Sequence, residues 1–125
     1  MKDFRELEVW KTGLSLLIEI YKITAKFPRS EIYGLVDQIR RSANSIIANI
    51  AESQGRFSFA DRVRVLYLAR GEIFEVRSHL SVAHELKYID KVTFEKLDSS
   101  YEVLAKQTSS LINYLEKRKH VWPNF

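Results

Sequence analysis

The chain has 125 residues, enough for one domain with a hydrophobic core and too few for two comfortable ones. The absence of cysteine excludes disulfides, thiolate metal sites and thiol catalysis; 46% apolar residues argue against disorder, and 4 Gly with 2 Pro leave little room for an all-β fold. The 20 Lys+Arg against 16 Asp+Glu leave a net charge of +4, too modest by itself to define a nucleic-acid binder.

In chain order, the first predicted helix carries Leu7, Trp10, Leu14, Leu17, Tyr21 and Thr24 at steps of three and four, and ends before Phe27-Pro28. Ser30 is expected to cap the second helix, with Glu31 in its first turn, where the helix dipole favours a carboxylate. Leu35, Ile39, Ala43, Ile46 and Ile50 then face inward until Gly55 stops the helix. Ser58 followed by Asp61 marks the start of a third helix that runs to about Ile89. Asp90 caps the fourth, whose Leu97, Tyr101, Leu104, Thr108, Leu111 and Leu115 keep helical spacing. Short connections make sequential helices neighbours, so the expected fold is an all-α, antiparallel up-down-up-down four-helix bundle over residues 1–120. An apolar C-terminal tail, residues 121–125, follows it. No apolar run approaches the ~18 residues of a membrane span and no export signal opens the chain. A cytoplasmic location without membrane contact is therefore expected.

The third helix has more apolar positions than one core contact needs. Leu66, Ile73 and Leu80 form a stripe, Val65, Leu68, Val76 and Ala83 broaden it, and Tyr67 and Phe74 extend it round the other side. Each helix of a bundle keeps an outer face, so this excess predicts a subunit interface. The second helix carries a polar stripe beside its apolar one: Gln38, Arg41, Ser45, Asn49 and Glu52. Asn49 and Glu52 adjoin Ile50 and are expected to be partly desolvated, which requires hydrogen-bond partners. With Glu72 and Glu75 of the third helix they would form a structural polar network that sets helix register; the alternative is a ligand site.

Between Lys26 and Lys87 every basic residue is arginine, whose planar fork suits carboxylate or phosphate. Arg62, Arg64, Arg70 and Arg77 on the third helix, with Lys117, Arg118 and Lys119 at the end of the fourth, are the candidate nucleic-acid contacts. Glu52, Asp61, Glu72 and Glu75 could neutralise much of the helix-three set, so the Lys117–Lys119 cluster is the stronger candidate. No interleaving of aromatic and basic residues is recognised that would suggest base stacking, and weak sequence preference is expected. An enzyme is not expected. There is no phosphate-cradling glycine loop, no Glu-x-x-His motif of bundle di-metal sites, and "HELKY" at residue 84 lacks the second histidine of a zinc protease. Glu75 and His79 lie one turn apart, a spacing more common for a surface ion pair than for two metal ligands. No metal or cofactor is expected.

"FRELEVW" from Phe4 and "FPRSEIYGLVDQIRRSANSIIANIAES" from Phe27, continued by "LARGEIFEV" in the third helix, together resemble a bacterial four-helix-bundle family. Its members were first noticed as reading frames in intervening sequences of large-subunit ribosomal RNA genes. The resemblance spans nearly the whole chain. It implies four antiparallel helices assembled as a ring-like homopentamer, and no enzyme activity. One relative, the accessory variability determinant of diversity-generating retroelements, is a basic pentamer that binds nucleic acid and a reverse transcriptase. This chain departs from the family pattern at Ile47, where Pro is frequent, and at Ser53, where Gly is common, which leaves Gly55 as the expected helix end. The expected function is a non-enzymatic oligomeric scaffold that contacts RNA or DNA through backbone phosphates. The alternative is a structural or protein-adaptor ring with no nucleic-acid role.

Overall fold

A computed structural model describes residues 3–118; Lys119 and the apolar tail 121–125 lie outside the described residues. The fold is all-α. Its long helices are α1 (Glu8–Thr24), α2 (Leu35–Gln54), α3 (Phe59–Glu85) and α4 (Lys91–Glu116), with short 3-10 turns at Phe4–Glu6 and Arg29–Glu31. Each helix packs against its neighbours in sequence, and α1 also packs on α4, so the four enclose one core. Ile20, Ile39, Ile46, Ile50, Leu66, Ile73, Leu80, Leu104 and Ile112 are fully buried at its centre. Each such side chain contributes about 1.5–3 kcal/mol by leaving water.

The inward faces of α2 and α4 are those the spacing predicts, with Leu111 half-buried at the edge. In α1 the burial is rotated by about one residue. Val9, Gly13, Leu16, Ile20 and Thr24 point inward; Leu7, Trp10, Leu14 and Leu17 are half-buried, and Tyr21 is exposed. The cause is Gly13, which lets α2 approach until Ile47 Cγ2 lies 2.5 Å from where a Cβ would stand. Arg40 of α2 ties the far end of α1 by donating from Nε to Thr24 Oγ1 at 2.9 Å.

Two helix boundaries differ from the sequence expectation. Ser30 does not cap α2. The segment Arg29–Glu31 makes a 3-10 turn instead, α2 starts at Leu35, and the Glu31 carboxylate reaches forward to accept from the Leu35 N–H at 3.4 Å. At the other site, α3 ends at Glu85, four residues before Ile89. Lys87 turns into the left-handed region (φ 65°), Lys87 N–H donates to His84 O, and Tyr88 N–H donates to Ala83 O. That pair of bonds is the usual glycine C-cap, made here with a lysine. The expected caps Ser58 and Asp90 accept from Asp61 N–H (3.1 Å) and Thr93 N–H (2.7 Å). Helix α2 runs unbroken through Ile47 and stops at Gly55, while Ser53 is buried and donates to Ile50 O.

Candidate functional site

Helix α3 borders two grooves, one toward α2 and one toward α4. The first is a polar cleft of about 450 Å³. From α2 it takes Asp37, Gln38, Arg41, Ser42 and Ser45; from α3, Glu72, Glu75 and His79; Tyr33 closes one end. Three stripe residues, Gln38, Arg41 and Ser45, are thus brought beside Glu72 and Glu75. Two are not: Asn49 is half-buried outside the cleft, and Glu52 is exposed and pairs with Arg56 in the connection between α2 and α3. Arg41 is also satisfied within its helix, by Asp37 at 2.9 Å. The cross-helix bond is made by Ser42, a buried residue on the apolar flank of α2, whose Oγ donates to Glu75 Oε2 at 2.9 Å. Nothing in the spacing of the polar stripe singles out Ser42, because it belongs to the inward-facing set.

Glu72 and Glu75 stand one turn apart on α3 and line the same cleft. Burial, the hydrogen bond with Glu75 and repulsion from its charge raise the Glu72 carboxyl to about 7. The same hydrogen bond, then that from Ser42, holds Glu75 below the usual carboxylate range. The pair can therefore hold or release one proton near neutral pH. Among the described residues no group of three or more His, Asp or Glu is placed to hold a metal ion, and no helix is long and apolar enough to cross a membrane.

The candidate cations fall into two groups. Arg64 is held by Asp61 at 2.9 Å, and Arg77 by Asp98 at 2.9 Å and Glu102 at 3.4 Å, both on α4. Neutralisation of Arg77 thus comes from α4 and not from Glu72 or Glu75, which face α2. Arg62 donates to the Arg56 carbonyl at 2.8 Å, and Arg70 donates to Ser109 Oγ at 3.3 Å; neither has a carboxylate within 4.0 Å among the described residues. Lys117 and Arg118 are exposed at the end of α4, and Lys119 lies outside the described residues.

Aromatic and basic residues do interleave, contrary to the sequence expectation. Arg62 lies over Phe59, Arg70 over Tyr67 and Arg77 over Phe74, each three residues on, at 5.6, 4.8 and 5.6 Å from the ring centre. Arg118 lies over Tyr114 at 5.1 Å. One helical turn stacks partners that the linear sequence separates. Of the apolar excess expected on α3, Val65, Val76 and Ala83 are buried in the core, because α3 packs on both α2 and α4, while Tyr67, Leu68 and Phe74, with Val82, are each about half exposed.

Residues 5–110 match the sequence profile of the 23S rRNA-intervening sequence proteins. The chain belongs to that family. A crystal structure from the S23 ribosomal protein family of Bacteroides thetaiotaomicron, itself of unknown function, is similar at 25% identity with a TM-score of 0.78. The similarity covers 84% of this chain and 95% of that one. No curated protein matches the chain. The four helices of this 23S rRNA-intervening sequence protein, and the grooves beside α3, thus sit on a fold with a solved relative.

Proposed function

We propose that this protein is a non-enzymatic scaffold whose four helices run up-down-up-down and whose chains assemble as a ring-like homopentamer that contacts RNA or DNA through backbone phosphates. The observation that carries the nucleic-acid part is a set of cations without carboxylate partners among the described residues: Arg62, Arg70, Lys117 and Arg118. A cation already held by a carboxylate gains little from phosphate, so Arg64 and Arg77 contribute less than their positions in the sequence suggested. Assembly multiplies the effect. Five copies of a +4 chain carry about +20, a field that attracts polyanions over a Debye length. The half-exposed Tyr67, Leu68 and Val82 of α3 supply apolar surface for contact between copies in a head-to-tail ring.

The same apolar surface favours a second reading, a structural or protein-adaptor ring in the cytoplasm with no nucleic-acid role. Filter binding to a structured RNA over a salt series separates the two. Phosphate-driven binding weakens steeply as salt rises, and replacing Lys117, Arg118 and Lys119 together flattens the slope. Absence of binding at low salt leaves the adaptor ring.

A further inference from the structure

The groove between α3 and α4 has a different chemistry from the polar cleft. Its volume is about 510 Å³, and its apolar walls are the Phe74 ring, 54% exposed, and Ala105. Arg70 and Lys106 flank it from opposite helices, and Ser109, Ser110 and Asn113 supply hydroxyl and amide groups at the Arg70 end. Glu102 is the one acidic residue in the lining, and it is already engaged by Lys106 at 3.4 Å and Arg77 at 3.4 Å. Arg77 is held by Asp98 as well as Glu102, so the cation of the lining without a carboxylate partner among the described residues is Arg70, and the acid sits at the end away from it.

Arg70 is the group here that has capacity to spare. Its guanidinium carries five N–H donors; it bonds Ser109 Oγ, stacks on Tyr67, and has no carboxylate within 4.0 Å among the described residues. Phe74 lies one helical turn further along, about 6 Å at 1.5 Å per residue. An anion anchor one turn from a half-exposed ring that already carries Arg77 over one face, with hydroxyls and an amide between the helices, matches the phosphate, sugar and base of one nucleotide. Aliphatic side chains, which an apolar peptide would need, are missing from the lining apart from Ala105.

We propose that this groove binds a nucleotide unit of single-stranded RNA or DNA, its phosphate on Arg70 and its base stacked on Phe74. The proposal rests on the nucleic-acid reading above and narrows it, because a base can reach Phe74 only when it is unpaired. Stacking on an aromatic side chain tolerates any base, so the site selects strandedness and not sequence.

The experiment compares a single-stranded adenine-rich RNA oligonucleotide with its duplex by fluorescence anisotropy, using the wild-type protein and the variants Phe74→Leu, Arg70→Gln and Ser110→Glu. All three positions line the groove, and circular dichroism with sedimentation confirms that fold and assembly are retained. The expected result is at least tenfold preference for the single strand. Phe74→Leu should lose about tenfold on the single strand and nothing on the duplex. Arg70→Gln should reduce the salt slope by about one. Ser110→Glu, a carboxylate placed in the groove, should weaken single-strand binding independently of the other two. Equal binding of both forms, unchanged by all three variants but still salt-sensitive, overturns the groove and leaves the phosphate-contact reading intact. No binding to either form at low salt overturns both. If the variants instead alter the sedimentation coefficient, the groove is a contact between copies and the proposal fails.

Discussion

Glu72 keeps its proton into the neutral range because partial burial disfavours its charged form, Glu75 one turn away accepts its hydrogen bond and repels a second charge, and Ser42 favours the charged form of Glu75. The sign of the linkage follows. A carboxyl whose folded value is raised contributes stability that is full below its ordinary value near 4.5 and is lost as pH rises through about 7. Glu72→Gln supplies the hydrogen-bond donor at every pH. Thermal melts should therefore show the variant gaining on the wild type between pH 5 and pH 8.5, by under about 1 kcal/mol because solvent reaches the pair. A constant difference across that range would rule out a raised Glu72 carboxyl. Tyr101 presents the opposite case. Its hydroxyl is buried without a hydrogen-bond partner among the described residues, and burial raises its pKa. Tyr101→Phe keeps the ring and removes a stranded polar atom, so stability should stay level or rise by about 1 kcal/mol in a urea melt. Ser42 shows where reading residues from spacing stops: its bond to Glu75 depends on which flank of α2 meets α3, and that is a property of packing.

At the scale of elements, α2 and α4 were legible because periodic Ile and Leu positions coincide with strong local signals, Gly55 at one end and Asp90 at another. The misread boundaries have local causes. A left-handed C-cap is recognised by glycine, and α3 uses Lys87. The start of α2 is signalled by a serine in the sequence, yet the Glu31 side chain does the capping. The shared face of α1 was read one residue out because the contact with α2 is set by the absence of a side chain at Gly13. These two positions give opposite glycine predictions. Lys87→Gly relieves a left-handed lysine and should stabilise by about 1 kcal/mol. Gly13→Ala would ordinarily gain about 1 kcal/mol of helix propensity. Here the new Cβ meets Ile47 Cγ2 at 2.5 Å, and a β-branched side chain in a helix has little rotamer freedom to yield. A net loss of about 1–3 kcal/mol is expected in denaturant melts. The candidate site was half legible: the arginines and acids could be named, while their pairing could not, since Arg77 reaches across to Asp98 and Glu102.

For the whole molecule, the proposed ring is the strongest quantity to measure. Light scattering of the pure protein should give the mass of about five chains, and a stable monomer at micromolar concentration would exclude it. One contact also links parts of the chain that no helix joins. The Tyr88 hydroxyl, just beyond α3, donates to Glu31 Oε2 at 3.0 Å, while Glu31 Oε1 receives the first amide of α2 and the Tyr88 ring packs on Phe27 at 5.3 Å. A single carboxylate therefore fastens the connection between α1 and α2 to the connection between α3 and α4. Those two loops cannot loosen one at a time: protection of the Leu35 and Tyr88 amides against hydrogen exchange should be lost together, and transient opening of the bundle should begin away from this rim, at the end where α2 turns into α3.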